Sequence, residues 1–244
     1  MTQTITAIVC AYNEARALPA CLYSLLAQTR PPDEIIVVNN ASSDETGAIA
    51  RSVPGVRVVD EPMKGLVVAR ETARRHATGT VLAYLDADCR APLQWLERIE
   101  PRFEKPAVVA VTGPYRFYDW DWTGRLLLRA YDVVVAPPTH GLLQGALGIG
   151  AILYGGNFAV RRDALERIGG FDKSIEFHGE DTNLGRRLTP VGSVELASDC
   201  WLWTSARRYH AMGKGKVLGL YVRNFWSEVL RHRPSDREHL DVRI

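Results

Sequence analysis

Up to about residue 113, short apolar runs alternate with stretches in which apolar residues recur every three or four positions. Thr4 to Cys10 is rich in β-formers. After Asn13, a residue suited to cap a helix, Leu18, Leu22, Leu25 and Leu26 fall at helical spacing. Glu34 to Val38, Val56 to Val59 and Val81 to Leu85 read as further strands. Between them lie a short helix over Asp44 to Arg51 and a longer one from Gly65, with Leu66, Ala69, Ala73 and Ala77 on one face. Repeated strand-helix units of this size predict an α/β fold, a mostly parallel Rossmann-like sheet with helices on both faces.

Beyond residue 113 the alternation breaks down. Tyr115 to Trp122 is aromatic and polar, Leu126 to Ala136 is an apolar helix candidate, and Leu142 to Tyr154 is apolar but holds Gly145, Gly148 and Gly150. That last stretch is shorter than the roughly 18 to 20 residues that span a bilayer. It reads either as a segment dipping into an interface or as a buried loop closing over a substrate. Phe158 to Val160 is a strand, followed by a short helix from Asp163 ended by Gly170. Near the end, Leu218, Tyr221, Val222, Phe225, Val229 and Leu230 recur at helical spacing, interleaved with Lys214, Lys216, Arg223, Arg231 and Arg233. With Trp226, this is the pattern of a helix lying on a membrane surface, and equally of one docked on the domain.

The 244 residues, 46% hydrophobic with a net charge of +2, suffice for one large domain with a well-buried core. No repeat, low-complexity tract or linker divides them. Cys10, Cys21, Cys89 and Cys200 are scattered, which argues against a zinc site or a disulfide framework and fits a reducing, cytoplasmic compartment. Met1 to Cys10 lacks a basic leader and reads as the first strand rather than a signal peptide. Arg207 to Ile244 holds nine Lys or Arg against four Asp or Glu. That excess suits an anionic partner, phosphates or a membrane surface, or is a solvated helix face. The near-neutral total and the lack of a binding motif argue against nucleic acid.

The strongest candidate chemistry is Val81 to Asp88, V-L-A-Y-L-D-A-D. A buried strand here delivers Asp86 and Asp88 to the carboxyl edge of the sheet, where open α/β folds bind ligands. Two such carboxylates need a positive partner, and a hard divalent cation bridging to phosphate oxygens supplies one.

Five further segments flank this one in a fixed order. A-Y-N-E (Ala11 to Glu14) follows the first strand and V-N-N-A-S-S-D-E-T (Val38 to Thr46) the second. K-G-L-V-V-A-R-E (Lys64 to Glu71) comes before the D-A-D. G-G-N-F-A-V-R-R (Gly155 to Arg162) and G-E-D (Gly179 to Asp181) come after it. In this order and spacing the chain resembles a family 2 glycosyltransferase of the GT-A fold, inverting and nucleotide-sugar dependent, over roughly residues 4 to 210.

One domain is expected over residues 1–244, with 1–113 its nucleotide-sugar-binding half and 114–210 its acceptor and catalytic half as the resemblance implies, and with 211–244 the basic amphipathic helix read from its periodicity. The resemblance implies Asp181 as general base, with Glu180 beside it, on the side of the anomeric carbon away from the leaving diphosphate. Acids at a helix start are also ordinary capping residues. Mn²⁺ or Mg²⁺ would sit mainly on Asp88, with Asp86 on the ribose or a metal-bound water. His210 is a candidate third ligand and, like His178, equally a satisfied surface histidine. Ala11, Tyr12, Glu14, Asn39 and Asn40 would line the nucleotide pocket, Tyr12 stacking on the base. Relatives often place an aspartate at 39 or 40, and asparagine at both leaves the base open between uracil and another.

Lys64, Gly65, Arg70 and the D-A-D backbone at Ala87 would contact the donor, Arg70 being otherwise a surface ion-pair residue with Glu71 or Glu97. Gly155, Gly156 and Asn157 would wall the donor sugar or acceptor with backbone, or simply turn into the next strand. Arg207 and Arg208 suit a diphosphate. The implied acceptor is a glycan or lipid-linked hydroxyl, with peripheral contact at the inner face of a membrane. A non-catalytic binding module on the same scaffold and another nucleotide-dependent transferase are the alternatives.

Overall fold

The computed structural model describes residues 3–175, 178–232 and 235. Among them the strands are β1 (Ile5–Ala11), β2 (Glu34–Asn40), β3 (Val56–Glu61), β4 (Val81–Asp86), β5 (Val108–Thr112), β6 (Tyr115–Phe117), β7 (Asn157–Arg161), β8 (Ser193–Leu196) and β9 (Leu202–Thr204). The helices are α1 (Leu18–Leu26), α2 (Thr46–Ser52), α3 (Leu66–His76), α4 (Trp95–Ile99) and α5 (Trp122–Ala130). They continue with α6 (Ala136–His140), α7 (Arg162–Arg167), α8 (Glu180–Leu188), α9 (Arg207–Met212) and α10 (Lys214–Arg231).

The main sheet runs β3-β2-β1-β4-β7-β5-β8, and β6 pairs with β9 beside it. β1 to β4 are mutually parallel, β8 is parallel to β5, and β7 runs antiparallel between β4 and β5. The predicted mostly parallel sheet is therefore present, with one reversed strand. β1 alternates its side chains between two cores. Ile5, Ala7 and Val9 meet Leu18, Leu22 and Trp95 on one face, and Ile8 meets Val67, Ala73 and Leu184 on the other. Burial on both faces is why these strands read as unbroken apolar runs.

The first helix departs from the expected start. Asn13 has φ 51° and its side-chain carbonyl accepts from the Ser43 amide at 2.8 Å, so it holds a loop rather than capping α1, whose cap is Ala17. Asparagine tolerates this left-handed backbone better than most residues.

α5 continues through wider π-helical turns at Tyr131–Val135, α6 and Gly141–Ala146, making an arm across one end of the domain. Gln144 fastens it to the edge strand β8, donating to the Val194 carbonyl at 3.1 Å and accepting from the Val194 amide at 2.7 Å. His140 joins this clasp, with Nε2 at 2.9 Å from the same carbonyl and Nδ1 accepting from Ile152 at 3.2 Å. The expected apolar stretch from Leu142 is thus split: Leu147 and Ile149 face outward, and Ala151, Ile152 and Leu153 are buried. Among the described residues no helix is long and apolar enough to cross a membrane. Arg233, expected at the end of the last helix, lies outside the described residues.

Candidate functional site

Parallel β1, β2 and β4 end at the same sheet edge, which brings Ala11, Asn39 and Asp86 together. Because β7 is reversed, the turn that leads into it, Gly155 and Gly156, reaches that edge too, beside Asp86. A methyl group on Gly156 would overlap the Asp86 carboxylate and come within 2.6 Å of the Tyr115 hydroxyl. One on Gly155 would come within 2.6 Å of Glu180 Oε1 and 3.3 Å of Asp181 Cβ. A side chain at either position would displace these carboxylates, and the two-residue backbone runs between the D-A-D and the E-D pair.

Arg70 crosses that backbone. Its side chain is 3% exposed, donates to Glu180 Oε1 at 2.8 Å and to the Gly155 carbonyl at 2.5 Å, and lies 3.8 Å from Asp86. Burial alone would lower its pKa, but Glu180 and then Asp86 raise it. The surface pair with Glu71 is taken instead by Arg74 and Arg75. Asp181 Oδ1 accepts from the Thr182 amide at 2.7 Å in the first turn of α8. Burial, then the neighbouring Glu180 charge, raises its pKa against that hydrogen bond and Arg70. A raised carboxyl in a cleft is poised to take up a proton near neutrality.

On the other side of Asp86, Arg207 at the start of α9 pairs with Glu14 and lies 3.1 Å from Asp88. Even so, burial, helped by the Asp86 and Glu14 charges, pushes Asp88 up to about 7. Asp86 is raised as well, by its enclosure and by Glu180, against Arg70. Negative charge is therefore undercompensated around these oxygens, and an oxygen-only donor set with excess charge fits a hard divalent cation. Among the described residues no three His, Cys, Asp or Glu side chains gather to hold a metal, so phosphate and water oxygens would supply the remaining ligands. His210 is not drawn to the pair: its Nε2 lies 3.0 Å from the Asp119 carbonyl on an exposed turn.

At the far end of the edge, Lys64 Nζ sits 4.0 Å from the centre of the Tyr12 ring. Asn39 donates to Asp60 at 2.8 Å while its own carbonyl oxygen is buried with no partner. Such an orphaned acceptor suits a ligand N–H. Asn40 is committed elsewhere: it accepts from Gly65 at 2.8 Å and donates to Met63 at 2.6 Å, buckling the loop into α3.

Other candidates are turned away from the cleft. The Asn157 side chain is buried, donating to the carbonyls of Gly113, Pro114 and Cys200 and accepting from Trp95. Ala11 and Ala87 pack into the core and leave only backbone to the edge. Arg208, by contrast, stays near the site: it donates to the Tyr221 hydroxyl at 3.0 Å, and its charge is felt by Asp86. Sequence reasoning missed Asp60, although it ends β3 in register with Asn39. It also missed Tyr115, whose hydroxyl accepts from Gly156 at 2.6 Å, and Tyr131 and Tyr221, which lie near enough to feel the Asp181 charge. Tyr115 and Tyr131 lie in the irregular second half, where no period marks them, and the helical period that includes Tyr221 does not say what its hydroxyl meets.

The model of the family described as Glycosyl transferase family 2 matches residues 6–169. The chain is 30% identical over 211 residues to Glycosyltransferase AglE of Haloferax volcanii, covering 82% of this chain and 67% of that protein. It is 25% identical over 193 residues to the glucosyl-dolichyl phosphate glucuronosyltransferase of the same organism, covering 75% and 58%. Mannosyltransferase PcManGT from Pyrobaculum calidifontis, solved in complex with GDP-Man and Mn²⁺, matches with a TM-score of 0.72 and 25% identity over 95% of this chain and 65% of that one. The chain thus spans about two thirds or less of the length of these proteins.

Proposed function

The chain belongs to glycosyl transferase family 2, and from that premise we propose that it transfers a hexosyl group with inversion from a nucleoside-diphosphate sugar to an acceptor hydroxyl. The observation that carries this reading is the pair of acidic groups held on opposite sides of the Gly155–Gly156 backbone, Asp86 on one side and Glu180 with Asp181 on the other. An inverting displacement needs that division, because the leaving diphosphate and the base must work on opposite faces of the anomeric carbon.

Asp181 takes the acceptor proton onto its carboxylate as the hydroxyl attacks, and Glu180, fixed by Arg70, keeps its pKa high enough for the task. Asp88 and Asp86 would hold the divalent cation, which would neutralise charge on the diphosphate. Arg207 lies beside them and binds phosphate oxygens with its guanidinium fork. The nucleoside lies between Tyr12 with Lys64 and Asn39 with Asp60, a set that accepts and donates and so serves a uracil or a guanine edge. PcManGT, with GDP-Man and Mn²⁺, supports a nucleotide sugar and a divalent ion as donor and cofactor. The relative named for a dolichyl phosphate substrate supports a lipid-linked acceptor.

Thermal unfolding against nucleotides and nucleotide sugars, with and without Mn²⁺ or Mg²⁺, tests the reading. Metal-dependent stabilisation by a nucleoside diphosphate is expected, and Asp181→Asn retains it while losing transfer. A response to NAD(P) alone, or undiminished turnover in Asp181→Asn, overturns it.

A further inference from the structure

The chemistry above makes no use of the outward faces of the arm and of α10. On α10 the apolar stripe read from the sequence is largely not the one that packs. Val217, Leu220, Asn224 and Glu228 are buried against the domain, while Leu218, Val222, Trp226 and Leu230 are exposed. On the arm, Trp122 is 75% exposed, and Leu126, Leu127, Val133 and Val134 are each at least 60% exposed. Single exposed apolar side chains are ordinary, but two adjoining elements covered with them mark a surface that meets something apolar.

The two elements are joined at their beginnings. Lys214, first residue of α10, pairs with Asp121, the residue capping α5, and its ammonium lies 5.6 Å from the Trp120 ring. Tyr209 packs on Trp120 at 4.5 Å and on Tyr221 at 6.5 Å.

Charge decides what covers this surface. Besides Lys214, which Asp121 neutralises, α10 exposes Lys216, Arg223 and Arg231, whereas its one acid, Glu228, is fully buried against Asn183 and Arg186. On the arm Arg125 and Arg129 are exposed, and Asp132 turns inward to the Tyr154 hydroxyl at 2.5 Å. A second copy of the chain would set cations against cations. Hydrocarbon behind a negative headgroup layer matches both properties.

We propose that the arm and α10 together dock this protein on an anionic lipid bilayer, with Trp122 and Trp226 seated at the headgroup level. Tyr131 of the arm and Tyr221 of α10 both lie within reach of the Asp181 charge, so docking brings the base towards the membrane. Given the glycosyl-transfer reading, on which this step rests, the acceptor is a lipid-linked hydroxyl that reaches Asp181 without leaving the bilayer.

Flotation of the intact chain with vesicles tests this, using phosphatidylcholine alone or mixed with phosphatidylglycerol. Binding to the mixed vesicles is expected, with little to phosphatidylcholine and release by high salt. Trp122→Ser with Leu127→Ser, and separately Lys216→Glu with Arg231→Glu, should weaken it at least about tenfold. No flotation with anionic vesicles overturns the proposal, as does a concentration-dependent dimer in sedimentation that the Trp122 and Leu127 changes abolish. Nucleoside-diphosphate stabilisation on the same preparation separates the two readings. If it persists without flotation only the docking surface falls, and if it is absent while flotation holds only the transfer reading falls.

Discussion

Arg70 and Glu180 form an ion pair at 2.8 Å across 110 residues of sequence, and the same guanidinium reaches the Gly155 carbonyl and lies near Asp86. One buried cation thus sets the distance between the D-A-D and the E-D helix. In Arg70→Met, Glu180 and Asp86 lose their shared counterion in a place where desolvation is costly. A buried pair broken on one side costs about 3 kcal/mol, and the expected result is an unfolding free energy, read by urea titration, lowered by that amount. Turnover should fall further than stability, because Asp181 loses its fixed neighbour. Arg70→Lys restores charge but not the fork, and should recover stability more than turnover.

Gly155→Ala and Gly156→Ala test the same junction from the backbone. The added methyl meets Glu180 in one case and Asp86 with Tyr115 in the other. Since displacing a reacting group by about 1 Å costs roughly a hundredfold, kcat should drop by about that factor in Gly155→Ala with nucleotide binding kept. Gly156→Ala should instead weaken metal-dependent nucleotide binding. Equal effects on both parameters in both variants would mean that the turn is only structural.

Much of this was legible beforehand, for particular reasons. β1, β2 and β4 are buried on both faces and announce themselves as apolar runs, and their ends carry Ala11, Asn39 and Asp86 to one edge. Strand β8, a half-polar four-residue edge covered by Gln144 and His140, has no such signal. The part of Asn40 was hidden because an amide that closes a loop and one that reads a base look alike in sequence. On α10 periodicity found the helix but not its packed face. The buried side is closed partly by Asn224 and Glu228, polar residues whose partners Ser235, Asn183 and Arg186 no helical period reveals.

Asp181 gives a pH dependence whose sign is fixed. Its folded pKa lies above the ordinary aspartate value, through burial and then Glu180. As the base it works ionised, so kcat/KM should fall on the acid side at a pH above the usual carboxylate range near 4. Glu180→Gln removes the neighbouring charge and should move that limb to lower pH. For stability, a raised folded pKa is favourable while the group is protonated and unfavourable once pH exceeds the folded value. Asp181→Asn should therefore raise the Tm at pH 8 and not at pH 4, as read by calorimetry.

Arg207 stands between Glu14 and Asp88, where it both neutralises the acids and competes with any cation that would replace it. Its positive charge therefore works against the metal alone and in favour of the anionic nucleotide. In Arg207→Gln the Asp88 carboxyl loses the partner that lowers its pKa, which rises above about 7. At a pH well above that range, where the carboxylates are ionised in both proteins, Mn²⁺ by itself should bind more tightly than to the unchanged protein, because the competing guanidinium is gone. Nucleoside diphosphate with Mn²⁺ should bind about tenfold more weakly at the same pH, the loss expected for one charge-assisted contact to phosphate. Calorimetric titration of each ligand reads the two effects separately. Weaker binding of both would mean that Arg207 mainly holds the acids in place, and tighter binding of both would mean that it never touches the phosphates.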